Sequence, residues 1–434
     1  MNNGNGTEKK KLKFLFVSID ALIGDLAWHV KKEGHEVKYY ITNKDQKDVC
    51  DGFVDKCDSW QEHKDWADVI VFDDFGFGKE ADELRKAGKH VVGGSPYTDN
   101  LELDREFGQK ELELAGISII PRWNFTSFDD AIEFIKKNPD RYVIKPSGLA
   151  QNEKELLFVG QEEDGKDITD MLQRYKKNWS KKISVFQLQK FISGVEVAVG
   201  AFFNGAEFVG PVNVNFEHKR MFPGELGPST GEMGTAMFFT ADSPLFNSTL
   251  ARMKPKLAES GYVGYIDLNC IVNSRGVYPL EFTSRFGYPH ISIMMEGVLS
   301  ELGSFLYGIA KKEKPEFRTK RAFEVGVVVA VPPFPFDDPR AFKKYSEDAS
   351  IIFKKHAYEG IHLGDVKLDE NDWKLAGNSG YALVVTGSGT TMEEARSVTY
   401  NRVKNIMIPN MFYRTDIGRR WAEERDKLSS WGYL

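Results

Sequence analysis

The sequence predicts an α/β domain that is followed by an α+β region and a small C-terminal α/β domain. At the N-terminus, strand-like runs alternate with a helix-like segment: "LKFLFVS" at 12–18, "ALIGDLAWHVKKEG" at 21–34 and "EVKYYI" at 36–41. This alternation is typical of βαβ units around a parallel sheet. Between residues 183 and 214, β-rich runs are separated by Ser-Gly and Asn-Gly turns, which predict antiparallel strands.

The N-terminal alternation continues through "ADVIVFDD" at 67–74, the helical "EADELRKAG" at 80–88 and "HVVGGSP" at 90–96. We therefore expect a doubly wound domain at residues 12–96, behind a disordered polar tail at 1–11. Ligands of open parallel sheets bind at the carboxyl ends of the strands, so that edge is the expected ligand edge.

The middle region combines helices with strand pairs. Helices are predicted at 100–115, at 129–140 and at about 247–259, and a strand is predicted in "RYVIKP" at 141–146. The strands "GYIDLNCIV" and "GVYPLEF" flank the turn "NSRG" at 273–276, which predicts an antiparallel hairpin.

The pattern changes again near residue 320. Strands are predicted in "FEVGVVVAV" at 323–331 and "YALVVTGSG" at 381–389, and Thr391 begins an amphipathic helix as its N-cap. These elements predict a small α/β domain at 319–434.

Composition narrows the class of protein. The 58 basic and 64 acidic residues give a net charge of -6, so no broad positive field is available and nucleic acid is not an expected partner. No apolar run reaches the ~20 residues of a membrane span, and the N-terminus lacks the apolar core of a signal peptide. The three cysteines are too few and too irregularly spaced for a disulfide framework or a zinc site. We expect a cytoplasmic protein.

One loop has an unusual composition. "EHKRMFPGELGPSTGEMG", residues 217–234, is first charged and then rich in glycine. Glycines let backbone N–H groups approach a ligand closely, which suits a grip on a small anion. The alternative is a long hairpin connection, because Gly, Pro and Ser are ordinary turn residues.

Oxygen-bearing side chains recur on two adjacent predicted strands. Since side chains alternate along a strand, Asp267 and Asn269 share one face of their strand, and Glu281 and Thr283 share one face of theirs. Oxygen ligands of this kind suit magnesium that also contacts nucleotide phosphates. Lys145, at the end of its strand, would neutralise phosphate charge in the same cleft.

These motifs are similar to those of a known family. The loop at 217–234 resembles "DHKR…GPNTGGMG", "LEFTSRFGYPH" at 280–290 resembles "IEFNCRFGDPE", and "VIKPSGLA" at 143–150 resembles "VIKADGLA". Order and spacing also agree at 101–117 and 412–420. The chain resembles glycinamide ribonucleotide synthetase (phosphoribosylamine glycine ligase), an ATP-grasp enzyme. The resemblance implies an ATP-grasp domain at 97–318 with a mobile lid at about 118–190.

The resemblance also implies roles for individual residues. It places ATP contacts at Arg105, Lys145, Gln189, Phe191 and Glu196. It places catalytic cations at Lys219, Arg220 and Arg285. It assigns the small-substrate grip to Gly227, Pro228, Ser229, Thr230, Gly231, Met233 and Gly234. It assigns Mg²⁺ or Mn²⁺ to Glu281, with Thr283, Asn269 and Asp267 as further candidates.

The sequence departs from the family where the family binds its amine. The Gly-rich first turn of the family is replaced by "SIDALIGDLAW" at 18–28, and a changed loop, "QNEKE", stands at 151–155. The acceptor site is therefore expected to consist of four residues: Asp20, Asp25, Tyr288 and His290. Because carboxylates repel phosphate, this surface suits an amine without a phosphate at that position.

The expected activity is ATP-dependent formation of an amide through an acyl phosphate, with glycine as the carboxylate and an amine other than phosphoribosylamine. The alternatives are the family's own reaction in purine synthesis and a nucleotide-binding protein without turnover. The expected partners are small molecules, and the expected assembly is a monomer or a homodimer.

Overall fold

The computed structural model describes residues 10–146, 157–179, 181 and 185–434. The first nine residues of the expected tail and the changed loop at 151–155 lie outside the described residues.

The described strands, in chain order, are β1 (Lys13–Ser18), β2 (Glu36–Ile41), β3 (Asp55–Lys56), β4 (Val69–Phe72), β5 (Val91–Val92), β6 (Arg122–Phe125), β7 (Tyr142–Pro146), β8 (Phe158–Val159), β9 (Phe186–Lys190), β10 (Val195–Asn204), β11 (Phe208–Glu217), β12 (Arg220–Phe222), β13 (Leu226–Ser229), β14 (Gly234–Thr240), β15 (Val263–Asn273), β16 (Gly276–Thr283), β17 (Phe323–Ala330), β18 (Ile352–Phe353), β19 (Ile361–Leu363), β20 (Val366–Asp369), β21 (Asp372–Leu375), β22 (Tyr381–Gly389) and β23 (Ile406–Met407).

The described α-helices are α1 (Gly24–Lys32), α2 (Gly78–Lys86), α3 (Pro96–Leu103), α4 (Arg105–Leu114), α5 (Phe128–Lys137), α6 (Lys166–Trp179), α7 (Pro244–Ser248), α8 (Lys254–Glu259), α9 (His290–Gly297), α10 (Leu302–Ala310), α11 (Pro339–Tyr345), α12 (Met392–Val403) and α13 (Trp421–Ser430). Within the described residues, none of the helices is long and apolar enough to cross a membrane.

The N-terminal region forms a parallel sheet, as the βαβ pattern predicts. Its strand order is β3-β2-β1-β4-β5, and each neighbouring pair is parallel. β1 and β4 are buried on both faces, which explains their almost continuous apolar sequences. Asp73 and Asp74 follow β4 directly, at the carboxyl edge of the sheet.

The helix expected at 100–115 is instead two helices, α3 and α4. Asp104 separates them, and its side chain accepts hydrogen bonds from the backbone N–H groups of Glu106 and Phe107. This N-cap starts α4 in a new direction and places Arg105 at its first position.

A four-stranded antiparallel sheet, with the order β6-β9-β7-β8, packs against α5 and α6. These elements share a hydrophobic core of their own, separate from the main core. A separate core of this kind is what the expected lid would need to move as a unit. The lid itself stays a prediction.

The largest sheet has eight antiparallel strands in the order β16-β15-β10-β11-β14-β17-β22-β19. It confirms the predicted hairpin of β15 and β16 and the antiparallel pairing of β10 with β11. The sheet crosses the expected boundary between residues 318 and 319, because β14 pairs with β17 over five residue pairs. The domain boundaries therefore stay a prediction.

Gly234, at the start of β14, is a tight point in this sheet. Its φ is +147°, and a Cβ atom there would lie 2.4 Å from the carbonyl oxygen of Gly326. Both atoms belong to paired strands, so neither can move without breaking the ladder.

We therefore expect Gly234→Ala to lower the free energy of unfolding by about 1–3 kcal/mol, since it adds overpacking to an unfavourable φ. Gly276→Ala is the matched control, because Gly276 has a φ of +151° and nothing within 4 Å of its Cβ position. Chemical denaturation of both variants measures the difference. Equal destabilisation would show that the close approach to Gly326 costs nothing.

Candidate active site

A cleft of about 590 Å³ lies where the four-stranded sheet faces one end of the eight-stranded sheet. Part of its wall is apolar, and the apolar members include Leu112, Ile120, Val143, Val159, Ile271 and Leu280. The rest of the wall carries charged and polar side chains. This combination suits a ligand with one planar apolar end and one charged end.

All five residues expected to contact ATP line this cleft. Arg105 donates a hydrogen bond to the carbonyl oxygen of Pro146, at 2.6 Å. Burial, together with the charges of Arg105 and Lys219, lowers the pKa of Lys145 to about 8. Lys145 and Arg105 therefore form a positive end to the cleft, where a bound anion would relieve their mutual repulsion.

Gln189 and Phe191 lie at the end of β9. Gln189 is only 2% exposed, and its side-chain nitrogen has no hydrogen-bond partner among the described residues. The Phe191 ring is covered by the guanidinium of Arg141, whose carbon lies 3.5 Å from the ring centroid. A buried amide donor beside an apolar wall can recognise a polar edge of a planar ligand.

Lys219 lies at the centre of the charged half of the cleft. Its ammonium nitrogen is 2.9 Å from Glu196, 3.2 Å from Glu217 and 3.3 Å from Glu281. Lys219 is the largest cause of the low pKa of Glu281, which falls to about 2. Burial opposes the charge on Lys219, but the three carboxylates still raise the pKa of its ammonium.

The four candidate metal ligands lie on adjacent strands. Register pairs Asn269 with Glu281 and Asp267 with Thr283. Glu281 and Thr283 line the cleft, whereas Asp267 accepts hydrogen bonds from Asn215, at 2.9 Å, and from the Tyr265 hydroxyl, at 3.3 Å. Burial, with the charge of Glu217, raises the pKa of Asp267 to about 7.

Asn269 gives the test of whether a hard cation fits here. Its amide nitrogen donates to Glu196 at 3.0 Å and Glu217 at 3.1 Å, while its buried amide oxygen has no partner among the described residues. An orphaned oxygen beside carboxylates is a donor set that suits Mg²⁺. Among the described residues, however, no three acidic, His or Cys side chains form a group able to hold a metal ion as they stand.

The glycine-rich stretch is both a hairpin connection and part of the cleft. It joins the paired strands β11 and β14, and it carries a small hairpin of β12 and β13. Ser229 and Gly231 line the cleft, and Thr230 donates two hydrogen bonds to the carbonyl oxygen of Lys219, from its N–H at 2.9 Å and its hydroxyl at 3.0 Å. Gly227 and Gly231 have φ values of +81° and +85°, which favour glycine. The remaining members of the predicted grip are Pro228 in β13, buried Met233, and Gly234 at the start of β14.

This small hairpin is held from the C-terminal region. Arg220 donates to the carbonyl oxygen of Gly227 at 3.0 Å. The fully buried Arg414 donates to the carbonyl oxygen of Arg220 and the carboxylate of Glu225, both at 2.9 Å, and it also pairs with Asp416. Sequence reasoning noted the segment 412–420 but gave Arg414 no role. Nothing in a lone sequence indicates that a basic residue there reaches a hairpin almost 200 positions earlier.

Arg285 is less free than expected for a catalytic cation. Its Nε lies 3.2 Å from Asp74 and 3.2 Å from Glu102. Burial opposes its charge, but these two carboxylates raise the pKa of the guanidinium. Glu102, Asp74 and Glu217 are polar residues of this site that sequence reasoning missed, although Asp74 could have been suspected from its place after β4.

The four expected acceptor residues are not brought together in one open surface. Tyr288 donates to the carbonyl oxygen of Asp73 at 3.3 Å, and buried His290 shares a hydrogen bond of 2.9 Å with the hydroxyl of Tyr265. Asp20 is exposed and accepts from Asn43 at 2.9 Å.

Asp25, expected in the acceptor site, is buried in the first turn of α1 and has internal partners, so its role toward an amine stays a prediction that these contacts do not favour. Its carboxylate is only 4% exposed and contacts His362 at 2.8 Å, the Ser292 hydroxyl at 2.8 Å and the backbone N–H of Leu363 at 3.0 Å. Every one of these partners is internal, because α1 packs directly against α9 and β19. Asp25 thus ties the N-terminal domain to the C-terminal part of the chain.

Known proteins resemble this chain in sequence over both the cleft region and the C-terminal region. The sequence pattern of the phosphoribosylglycinamide synthetase ATP-grasp (A) domain matches residues 104–291, and that of the C domain of the same synthetase matches residues 324–420. A phosphoribosylamine–glycine ligase of Listeria monocytogenes is 27% identical over 353 residues, which cover 78% of this chain and 80% of the relative. The corresponding protein of Streptococcus pneumoniae is 26% identical over 353 residues, with the same two shares.

Solved structures share the fold. A phosphoribosylamine–glycine ligase from Thermotoga maritima aligns with a TM-score of 0.72 at 22% identity, over 94% of this chain and all of that one. A biotin carboxylase from Campylobacter jejuni aligns with a TM-score of 0.63 at 12% identity, over 98% of this chain and 97% of that one. The expected ATP-grasp fold, with its N-terminal parallel sheet and C-terminal region, is confirmed.

The contacts of Asp25 predict a structural role. We expect Asp25→Asn to lower the free energy of unfolding by about 2–4 kcal/mol, because the buried contacts with His362, Ser292 and Leu363 lose their anionic acceptor. Burial opposes ionisation, but His362 and the three hydrogen bonds hold the pKa of Asp25 below its usual value. Its stabilisation is therefore present above about pH 4 and lost as pH falls through the lowered pKa.

Denaturation of Asp25→Asn at pH 7 and in acid measures this effect, with Asp20→Asn as the exposed control. The control should change stability by no more than about 0.5 kcal/mol. Unchanged stability of Asp25→Asn together with weakened use of an amine substrate would contradict the structural role.

Proposed function

Since the chain belongs to the phosphoribosylglycinamide synthetase family of ATP-grasp proteins, we propose that it is an ATP-dependent ligase that joins a small carboxylate to an amine and releases ADP and phosphate. One observation carries the proposal. Four charged residues, Arg105, Lys145, Lys219 and Glu281, line one cleft, and another part of the wall of that cleft is apolar. Four charged groups from four separate segments would have no reason to meet there without a charged ligand.

A nucleotide has an apolar ring and a charged phosphate chain, which match the apolar part and the charged part of the cleft wall. The purine ring would lie against the apolar residues, where Gln189 offers a buried amide donor. The ribose hydroxyls would donate to Glu196, and Lys145 and Arg105 would bind the phosphates. Positively charged groups placed before the reaction stabilise the charge of the transferring phosphoryl group without reorganisation.

The carboxylate substrate would occupy the space between the small hairpin and the phosphates. Ser229 and Gly231 line that part of the cleft, and Lys219 and Arg220 lie at the base of the hairpin. Magnesium, when bound, supplies charge neutralisation across the phosphate oxygens. Glu281, Thr283 and the amide oxygen of Asn269 would hold it. The acyl phosphate formed from the carboxylate and ATP is then attacked by the amine, which yields the amide and phosphate.

We propose glycine as the carboxylate and phosphoribosylamine as the amine. The support comes from relatives named phosphoribosylamine–glycine ligase, which align with this chain over most of their length. The match of "GPSTGEMG" to the family's loop supports the same carboxylate. This choice differs from the amine expected from the sequence, because Asp25 is committed to an internal ion pair and no longer argues against a phosphate.

An amine without a phosphate is the second candidate. The turn at 18–24 contains no basic side chain, and Asp20 is exposed within it. Arg285, which could otherwise bind an anion, is already paired with Asp74 and Glu102. These two features favour a neutral or cationic acceptor. A protein that binds nucleotide without turnover is not favoured by any contact in the site.

We also propose a cytoplasmic location. Cys50, Cys57 and Cys270 are free thiols, and two of them are buried. A reducing compartment keeps thiols in this state.

Release of ADP, measured by a coupled assay with glycine and a panel of amines, tests the proposed function. We expect phosphoribosylamine to give the highest rate and the product to be glycinamide ribonucleotide. A higher rate with an unphosphorylated amine would transfer the assignment to the second candidate.

Lys145→Ala should abolish ADP release while leaving the fold intact, because it removes a phosphate contact rather than core volume. Unchanged turnover in that variant would overturn the nucleotide site.

Glu281→Gln tests the metal ligand. We expect the Mg²⁺ concentration for half-maximal ADP release to rise by roughly 10–100-fold, since a hard cation loses an anionic oxygen. Glu207→Gln is the control, because Glu207 lies in the turn between β10 and β11 and, among the described residues, its carboxylate pairs with Lys314 and not with any residue of the cleft. A Mg²⁺ titration that is the same for wild type and Glu281→Gln would place the metal elsewhere.

A further inference from the structure

The ammonium of Lys219 occupies a position among oxygen atoms that resembles the surroundings of a metal ion. Glu196 comes from β10, Glu217 from the end of β11 and Glu281 from β16, and each has an oxygen within 3.3 Å of the Lys219 nitrogen. Three carboxylates from separate strands repel one another unless a cation lies between them. Here that cation is a side chain of the protein itself.

Asn269 is an independent sign that a second kind of ligand belongs here. Its amide nitrogen bridges Glu196 and Glu217, which fixes the orientation of the amide. Its oxygen is buried, in a residue only 5% exposed, and has no donor among the described residues. Lys219 forms its hydrogen bonds with the carboxylates and leaves this oxygen unsatisfied. A buried amide oxygen without a donor is a ligand that suits a divalent cation bound to the neighbouring carboxylates.

We propose that Lys219 and a divalent cation compete for the same carboxylates, so that the free protein binds the metal only weakly, and binds it by displacing the Lys219 side chain. The ammonium and the metal ion carry like charges and need the same oxygens, so both cannot occupy this position. An anionic polyphosphate in the cleft would offer Lys219 another partner. The transfer of Lys219 to a polyphosphate rests on the proposed function. It implies that the metal binds together with the nucleotide.

The backbone of Lys219 is fixed, so the exchange involves only its side chain. Thr230 donates twice to the Lys219 carbonyl oxygen. On the preceding residue, the backbone N–H of His218 donates to the carbonyl oxygen of Gly234 at 3.0 Å, and the carbonyl oxygen of His218 accepts from the N–H of Met233 at 2.8 Å. A lysine side chain has a flexible four-carbon stem, so its ammonium can leave the carboxylates while the hairpin keeps its place.

Binding of Mn²⁺ in the absence of any nucleotide tests the competition, with the free ion followed by electron paramagnetic resonance. We expect Lys219→Met to bind Mn²⁺ at least about tenfold more tightly than wild type, the size of effect seen when groups around metal ligands are changed. Lys145→Met is the matched control. It removes the same charge from the same cleft. The charge of Lys145 acts on Glu281 and Glu196, but among the described ion pairs these carboxylates are joined to Lys219 and not to Lys145.

A simple change in the electrostatic field would raise the Mn²⁺ affinity of both variants equally, and that result would overturn the proposal. Wild type that binds Mn²⁺ as tightly as Lys219→Met would also overturn it.

A second measurement uses the unmodified protein. Acetic anhydride reacts with free amines, and mass spectrometry reports the acetylated fraction of each lysine. We expect acetylation of Lys219 to rise several-fold as Mn²⁺ saturates the protein, while Lys190, which pairs with Asp140, stays constant. Saturation by Mn²⁺ without any change at Lys219 would overturn displacement. Neither experiment contains ATP or an amine, so their outcome is independent of whether the ligase assignment holds.

Discussion

The charge cluster around Lys219 is the constraint on which the rest of the site depends. Its ammonium holds together carboxylates from β10, β11 and β16, which are strands of one sheet. Their meeting requires the register that sets Asn269 opposite Glu281, and it also requires the hairpin that fixes the Lys219 backbone. A shift of one residue in the pairing of β15 with β16 would turn the Glu281 carboxylate to the other face of the sheet. The cluster would then have unbalanced charge. The charge arrangement in the cleft therefore depends directly on the register of the sheet.

Distant segments supply the support for this cluster. Arg414 reaches across from the C-terminal region to hold the hairpin that follows Lys219. Asp25 makes a separate long-range connection, because its contacts with His362 and Ser292 join α1 to β19 and α9. Both are buried charged groups with full sets of partners, and such groups fix relative positions because any rearrangement would leave a charge buried without compensation.

The two halves of the site differ in how well they were predicted. The five residues that the family resemblance assigned to ATP line one cleft, and their role as ATP contacts stays a prediction. The four residues assigned to the acceptor site do not meet in one open surface. Asp25 was assigned to the acceptor site because it lies where the family has its Gly-rich first turn, and no local pattern indicated His362 as its partner. Arg285 looked like a free cation for the same reason, since Glu102 and Asp74 come from separate elements.

The sequence by itself determined the parallel N-terminal sheet and the antiparallel hairpins, because these depend on residue periodicity and turn chemistry. Its family motifs singled out Lys145, Lys219 and Glu281 by resemblance. Only the tertiary structure decided which charges neutralise which. Glu217 and Glu196 share Lys219 with Glu281, Arg285 is shared by two carboxylates, and Asp25 is enclosed. The physical reason is that a Coulomb interaction depends on distance and burial, and contacts between residues tens to hundreds of positions apart form only when the sheets and helices pack together.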